Sequence, residues 1–283
     1  MKAMKIRTPA VSGLFYPSDP TLLALNVDGM LDDYTGINVP GKPIGFIAPH
    51  AGYAYSGPTA AAAYALLRSR NFRTAVIVAP SHLEQFNGIS VYDGDAYRTP
   101  LGLINVDREL RDRLLSYKGL IRKSPLGHRD EHSIEVQLPF IQRINPEAKI
   151  LPVVMGEQSS EYCSILSSAL AGILEDSSAV LIASSDLSHF YHDEKAKEID
   201  AIAASDIRMG LPMKLLDDLA ERRCEACGGG PIASVMSACA QLGAADVRVL
   251  HQCTSGDVTG DRARVVGYLS AAISFPSGEG RNV

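Results

Sequence analysis

The sequence lacks several features that mark particular classes of protein. It has no tryptophan and only five cysteines. It also has no run of about 18 apolar residues, the length that a transmembrane helix needs. Its 32 acidic residues outnumber its 27 basic ones, which gives a net charge of −5. Proteins that bind nucleic acid usually carry an excess of basic residues. The sequence therefore predicts neither a nucleic-acid-binding protein nor a membrane protein.

Other missing patterns narrow the function further. The first residues hold no apolar segment of the kind found in secretory signals, and an odd, modest number of cysteines is not a disulfide framework. Reduced thiols in a cytoplasmic protein are therefore expected. The patterns HExxH, P-loop, GxGxxG and GxSxG are all missing. This removes the common zincin, nucleotide triphosphatase, dinucleotide-binding and α/β-hydrolase interpretations.

What the sequence does contain is a series of short apolar runs separated by helical stretches. Four runs are rich in Val, Ile and Ala and do not alternate with polar residues: Ile44–Ala48, Ala75–Ala79, Ile150–Met155 and Ala179–Ser184. That pattern is typical of strands covered on both faces. Strands alternating with helices predict a three-layer α/β/α sandwich with a central mixed, largely parallel sheet. With 46% hydrophobic residues, the whole chain, 1–283, is expected to form a single domain.

Local patterns give more specific expectations at a few places. A helix is predicted at Pro58–Arg70, and another at His132–Ile144, which Pro139 should kink or shorten. The segments Gly88–Tyr92 and Ala96–Leu103 are predicted to form a hairpin. Further helices are predicted at Val106–Tyr117, Ser160–Leu174, Glu194–Met209 and Pro231–Leu242.

Residues of metal-ligand type follow three of the predicted strands. His50 and His82 each come just after an apolar run, and Asp186 and His189 follow a third. In open α/β sheets, ligands bind at the carboxyl ends of the strands. A single histidine after a strand is usually an ordinary loop residue, but three strand ends with the same property favour a functional site.

Two other positions are candidates for chemistry. Cys227 leads through three glycines into a predicted helix, and a thiol near a helix N-terminus should have a lowered pKa and bind metal or act as a nucleophile. An ordinary buried thiol in a glycine-rich turn explains the same pattern equally well. Cys224 and Cys227 form a CxxC, but no second pair accompanies it, so a zinc site of that kind is poorly supported. His132 could act as a general acid or base, or belong to a polar first turn of a helix.

Short motifs along nearly the whole chain resemble those of the Memo family, which is named for a eukaryotic mediator of receptor-driven cell motility. The segments that carry the resemblance are Ile47–Tyr53, Ala79–His82, Asp130–Glu135, Ser184–His189 and Cys227–Pro231, with Arg7–Pro17 and Val265–Tyr268. The family's fold is similar to that of the LigB-type class III extradiol dioxygenases, which are non-haem iron enzymes, and it is also phosphorylase/hydrolase-like. The resemblance implies that His50, His82 and Cys227 are metal ligands. It also implies that three further side chains line the same pocket: His132, Asp186 and His189.

One departure from the dioxygenases affects the expected chemistry. Those enzymes hold Fe(II) with two histidines and a carboxylate, whereas Cys227 stands where the carboxylate would be. A thiolate is a softer ligand and favours copper, zinc or a different iron chemistry. Similarity of fold to the dioxygenases therefore does not predict that this protein cleaves aromatic rings.

Three functions remain open from the sequence. The first is an oxidoreductase that uses iron or copper, with zinc as a further option, on a small molecule. The second is a non-enzymatic module that binds a peptide or a metal ion in the same cleft. The third, a metal-assisted hydrolase, has less support because the sequence shows no carboxylate-rich two-metal cluster. The sequence predicts no oligomeric state.

Overall fold

Helices separate the four strands that match the predicted apolar runs. The computed structural model describes residues 3–68, 70–117, 119–175 and 177–277. In these ranges the strands are β1 (Ile6–Arg7), β2 (Pro43–Ala48), β3 (Thr74–Pro80), β4 (Ile89–Tyr92), β5 (Ala96–Thr99), β6 (Gly102–Asn105), β7 (Ile121–Ser124), β8 (Lys149–Met155), β9 (Ala179–Ser184), β10 (His189–Tyr191), β11 (Asp246–Thr254) and β12 (Val265–Ser274). The helices are α1 (Pro20–Asp32), α2 (Tyr53–Ala65), α3 (Arg108–Leu115), α4 (Leu138–Ile144), α5 (Ser160–Leu174), α6 (Asp193–Arg208), α7 (Pro212–Ala220), α8 (Gly229–Gln241) and α9 (Ser255–Thr259).

The middle of the main sheet is parallel and its margins are mixed. Four parallel strands lie in the order β2, β9, β3 and β8. On one side β12 runs antiparallel to β2, and both β10 and β11 pair with β12. On the other side β4 runs antiparallel to β8 and parallel to β7. The mixed sheet is therefore confirmed, with its parallel part at the centre.

Helices cover both faces of this sheet and produce the three layers that were predicted. Val76 and Val78 of β3 belong to the hydrophobic cluster that includes α5 and α8. Ala75 and Ile77 belong to the cluster on the other face, with α1, α2 and α4. Successive side chains of a strand point to opposite faces. A strand with a layer on each side is therefore apolar throughout, and all of β3 is buried.

Two predicted helices have different bounds in the structure. Helix α2 begins at Tyr53 rather than Pro58, and Pro58 lies inside it. The Tyr53 N–H donates to the carbonyl of Phe15, 2.7 Å away, so a contact distant in sequence fixes the start of the helix. The predicted helix at His132–Ile144 is a short 3-10 turn followed by α4, with Pro139 in the first turn of α4. A proline is tolerated there because its missing N–H has no partner within the helix.

The predicted hairpin is wrong, because its two segments belong to different sheets. Strand β4 pairs with β7 and β8 in the main sheet. Strand β5 pairs with β1 and β6 in a separate three-stranded sheet. Asp95, between β4 and β5, donates its N–H to the carbonyl of Lys5, 2.7 Å away. The connection thus joins two sheets, and pairing with distant strands overrides the local turn signal.

Candidate metal centre

Three histidines from separate connections meet at the carboxyl end of the central strands. His50 follows β2, His82 follows β3, and His132 lies just before the 3-10 turn. One ring nitrogen from each lies within 4.8 Å of the other two. The geometry therefore joins the two histidines predicted from strand ends to a third from a loop.

Hydrogen bonds fix the protonation state of the His50 ring. Its Nδ1 lies 2.9 Å from the hydroxyl oxygen of Ser184. That hydroxyl donates its own proton to the carbonyl of Ser133, 2.6 Å away, and accepts from the side-chain amide of Gln137, 2.8 Å away. The proton between His50 and Ser184 must therefore be on Nδ1, which leaves a lone pair on Nε2. Burial, with the nearby histidines, lowers the pKa of His50, so the ring is neutral.

Glu131 orients the second histidine. Its carboxylate accepts from the backbone N–H of His82, 2.6 Å away, and lies 2.9 Å from His82 Nδ1. Burial alone would raise the pKa of Glu131, but hydrogen bonds from His82 and Ser133 outweigh it and lower that pKa. The ionised carboxylate keeps the proton on His82 Nδ1 and leaves Nε2 as the donor atom. Carboxylates commonly orient metal-binding histidines in this way.

Glu131 also acts on His82 and His132 electrostatically. Burial would lower the pKa of His82, but the hydrogen bond and charge of Glu131 outweigh it and raise that pKa. Burial lowers the pKa of His132, which is less closely bonded to the carboxylate. The two rings stack with their centroids 4.9 Å apart. Neighbouring imidazoles therefore differ in proton affinity because only one is hydrogen bonded through its ring to Glu131.

Cys227 lies against the same cluster. Its Sγ is 3.2 Å from His50 Nε2 and accepts a hydrogen bond from the Asp186 N–H, 3.3 Å away. Burial, followed by the charge of Asp186, raises the pKa of the thiol well above its usual range. The expected lowering of the Cys227 pKa is thus wrong for the metal-free protein, because burial outweighs the nearby start of α8. A cation would reverse this balance, since a metal-bound thiol is deprotonated.

The glycines after Cys227 allow its loop to approach the end of β9. A Cβ on Gly228 would lie 2.3 Å from the carbonyl oxygen of Ser184, and one on Gly230 would lie 2.7 Å from Cβ of Gln158. Gln158 in turn donates to the Cys227 carbonyl, 3.0 Å away. The close backbone approach predicted from the glycine run is confirmed, and it places Cys227 beside His50.

Asp186 and His189 border this cluster. The buried carboxylate of Asp186 accepts from the His50 N–H, 2.7 Å away. Burial raises the pKa of Asp186 to about 7, against the opposing effect of this bond. Burial lowers the pKa of His189. Both side chains line a cleft of about 560 Å³ that His132 also lines. These three residues therefore line one cleft.

His50 and Cys227 do not line that cleft. His50 is 1% exposed, and Cys227 lines a second cleft of about 560 Å³ that also contains Cys224 and Glu225. His189 borders both clefts. Of the candidate ligands, Cys227 is therefore reached from the second cleft, which meets the first at His189.

Several residues that build the site had no role in the sequence-based prediction. Glu131 lies in a recognised motif, and an acidic residue directly before His132 was its only signal. Arg7 and Glu135 form a buried ion pair that ties the N-terminal segment to the same loop. Glu135 also accepts from the backbone N–H of Ala10, 2.8 Å away. No local pattern predicts these contacts, because their partners are distant in sequence.

The fold and the site together define an α/β protein with a histidine cluster at the carboxyl end of a parallel central sheet. Comparison with known proteins gives the family. A model described as Memo-like protein matches residues 7–272, and the chain belongs to the Memo family. The resemblance noted in the sequence is thereby confirmed.

Two relatives agree with this assignment, and one solved structure shares the fold. A MEMO1 family protein of Methanosarcina mazei is 39% identical over 275 residues, covering 95% of this chain and 100% of the relative. One from Methanobrevibacter smithii is 36% identical over 277 residues, covering 94% and 98%. The crystal structure of an uncharacterized protein from Escherichia coli K12 has a TM-score of 0.51 at 12% identity, covering 81% and 99%. That similarity concerns the fold alone. No helix in the described part of the chain is long and apolar enough to cross a membrane.

Proposed function

We propose that the cluster binds one metal ion through His50, His82 and Cys227. The observation that carries this proposal is the unprotonated Nε2 of His50, which hydrogen bonding through Ser184 orients and which lies 3.2 Å from Cys227 Sγ. Imidazole nitrogen and thiolate are ligands suited to zinc, copper and iron. The donor chemistry of the cluster therefore fits such an ion.

His132 competes with Cys227 for the third position, since its ring nitrogen meets the spacing of a ligand. We assign Cys227 because its Sγ lies beside His50 Nε2, and because a thiolate neutralises part of the charge of a buried cation. His132 lines the open cleft, where it can contact a substrate. Its role is then to position a ligand or accept a proton.

We further propose that the protein is an oxidoreductase acting on a small molecule, with iron or copper as the metal and zinc as a further option. A bound iron or copper ion would supply electron transfer to oxygen. Lowered pKa values keep His132 and His189 neutral near pH 7, so each can accept a proton in the cleft. Asp186, with a pKa of about 7, can donate or accept one. Proton transfer would then take place in the cleft that His132, Asp186 and His189 line.

A second candidate function is a binding module that uses the same cleft without catalysis. Leu14 and Tyr55 line the cleft and are 81% and 45% exposed, which favours a small-molecule or peptide ligand with apolar groups. A cytoplasmic location is part of the proposal, supported by five free thiols. A metal-assisted hydrolase has less support, because one cluster of histidines does not provide a two-metal site.

Elemental analysis of protein purified without oxygen tests the metal, and calorimetric titration with Fe(II), Cu(II) and Zn(II) tests the ligands. We expect one ion per chain, severe loss of binding in Cys227→Ala, and near-normal binding in His132→Ala. Cys227→Asp should retain Fe(II), since it creates a two-histidine, one-carboxylate set.

The control for this experiment is Cys253→Ala, which also removes a partly buried thiol. Normal binding by Cys227→Ala with loss in His132→Ala would assign the third ligand to His132. No metal uptake by wild type would contradict the proposal.

A further inference from the structure

Two arginines close together in sequence differ in how the protein uses them. Arg262 donates to Asp193, 3.1 Å away, and lies 3.6 Å from a carboxylate oxygen of Asp257. Arg264 forms no hydrogen bond or ion pair with any residue in the described ranges, and it lines the same cleft as His132. One guanidinium is thus held by the protein's own carboxylates, whereas the other belongs to a residue that lines the cleft and has no such partner in the described ranges.

The position of Arg264 is nevertheless defined by a contact. Its guanidinium carbon lies 5.2 Å from the centre of the Phe190 ring, within the range of a cation–π interaction. Phe190 itself is 61% exposed. Such a contact restrains the planar group without using its hydrogen-bond donors.

The backbone of Phe190 is in a conformation that a bulky residue rarely adopts. Its φ is 67°, in the left-handed region. The irregular pairing of β10 with β12 lies at the same place, between His189 and Tyr191. Strained residues of this kind cluster at ligand-binding sites.

We propose that Arg264, held by Phe190, is the anion-binding group of the cleft. The arginine would bind a carboxylate or phosphate group of the ligand, because its planar donors match both oxyanions. Phe15 and Tyr55 line the same cleft and would contact an apolar or aromatic body. This assignment deepens the proposed function and rests on it for the identity of the ligand as a substrate.

Anion binding can be tested without any metal chemistry. Benzoate, phenyl phosphate and neutral benzyl alcohol are titrated by NMR into metal-free and metal-loaded protein, and inorganic phosphate is titrated in parallel. We expect the metal-free protein to bind one or both aromatic anions at least about tenfold more tightly than benzyl alcohol, as expected for a hydrogen bond to a charged group. The relative affinities of benzoate and phenyl phosphate show whether the site prefers a carboxylate or a phosphate group. Binding of inorganic phosphate as tight as that of phenyl phosphate would overturn the role of the apolar body.

Matched variants test whether Arg264 is the residue that binds the anion. Arg264→Gln should lose about tenfold in affinity for the preferred aromatic anion, and Phe190→Ala should lose a smaller factor because the guanidinium is no longer restrained. Arg262→Gln should bind as wild type. Equal affinity for benzyl alcohol and both aromatic anions, or equal losses in the two arginine variants, would overturn the proposal. Metal uptake is measured on the same samples. Anion binding without metal uptake would therefore support Arg264 while contradicting the metal centre.

Discussion

His128 and the histidine cluster belong to one molecule, yet their ring nitrogens have different kinds of partner. His128 and His50 are both 1% exposed. Nδ1 of His128 accepts from the Tyr97 hydroxyl, 2.8 Å away, and its Nε2 donates to the Ser90 carbonyl, 3.3 Å away. Both of its ring nitrogens are thus satisfied by the fold. In His50, Nδ1 has such a partner, whereas Nε2 lies 3.2 Å from the thiol of Cys227, which is itself a candidate ligand.

This difference shows that burial alone does not identify a functional histidine. A histidine whose two ring nitrogens both form hydrogen bonds with structural residues has no nitrogen left to bind a metal ion, whatever its pKa. The cluster brings together three rings and a thiol, and burial favours the neutral forms of His50 and Cys227. A metal ion would deprotonate the thiol and could use the free ring nitrogens as ligands. The predictions below test whether substitutions at His128 and substitutions in the histidine cluster have different effects on metal binding and stability.

The largest expected effect follows from changing a proposed ligand. His50→Gln keeps most of the side-chain volume but removes the imidazole donor. It should therefore lower metal affinity by more than the ~10–100-fold typical of orienting groups. Competition titration against a chelator measures this. His128→Gln, altered at an equally buried ring, should bind metal as wild type. Similar losses in the two variants would erase the distinction between the regions.

A smaller loss is expected when the orienting carboxylate is changed. Glu131→Gln presents an amide whose N–H groups can face His82 Nδ1, which favours the tautomer with no lone pair on Nε2. Metal affinity should fall by about 10–100-fold. Glu84→Gln is the control, because Glu84 accepts from the N–H of Gly127 on the same loop, 2.6 Å away. Unchanged affinity in Glu131→Gln would mean that His82 needs no orientation by Glu131.

Much of this architecture could be predicted from local pattern. The central strands β2, β3, β8 and β9 match the apolar runs to within a residue or two, because strands covered on both faces need apolar side chains throughout. Helix α5 was predicted with its bounds. The supposed hairpin and the start of α2 were not, because partners distant in sequence determine them.

The site could be predicted only in part, for the same reason. Strand ends gave His50 and His82, since neighbouring connections meet at one edge of a parallel sheet. The tautomer of His50 depends on Ser184, and the ionisation of Glu131 depends on His82. The direction of the Cys227 pKa depends on burial. These are properties of the packed structure, and spacing in the sequence carries no information about them.

We expect the free energy of unfolding to fall in acid, in part because of His128. Burial lowers its pKa to about 3, whereas an unfolded histidine has a pKa of about 6.5. Between these values the unfolded chain binds the additional proton. The contribution of His128 to stability is therefore full above about pH 6.5 and is lost toward pH 3, by up to about 1.4 kcal/mol per pH unit. Urea denaturation from pH 7 to pH 4 measures the slope. His128→Gln should have a shallower dependence, and an unchanged slope would contradict this assignment.

The smallest expected effect comes from a matched pair of hydroxyl deletions, one in each region. Tyr97→Phe removes the donor to His128, and Tyr64→Phe removes the donor to Gln137, 2.8 Å away. Each should cost about 1 kcal/mol of unfolding free energy, the usual contribution of a hydrogen bond. Only Tyr64→Phe should also reduce metal affinity, by a few-fold, because Gln137 donates to the Ser184 hydroxyl that holds the His50 ring. Urea denaturation and chelator competition on both variants separate the two effects. Equal metal affinity in the pair would mean that the His50 ring is held without help from Gln137.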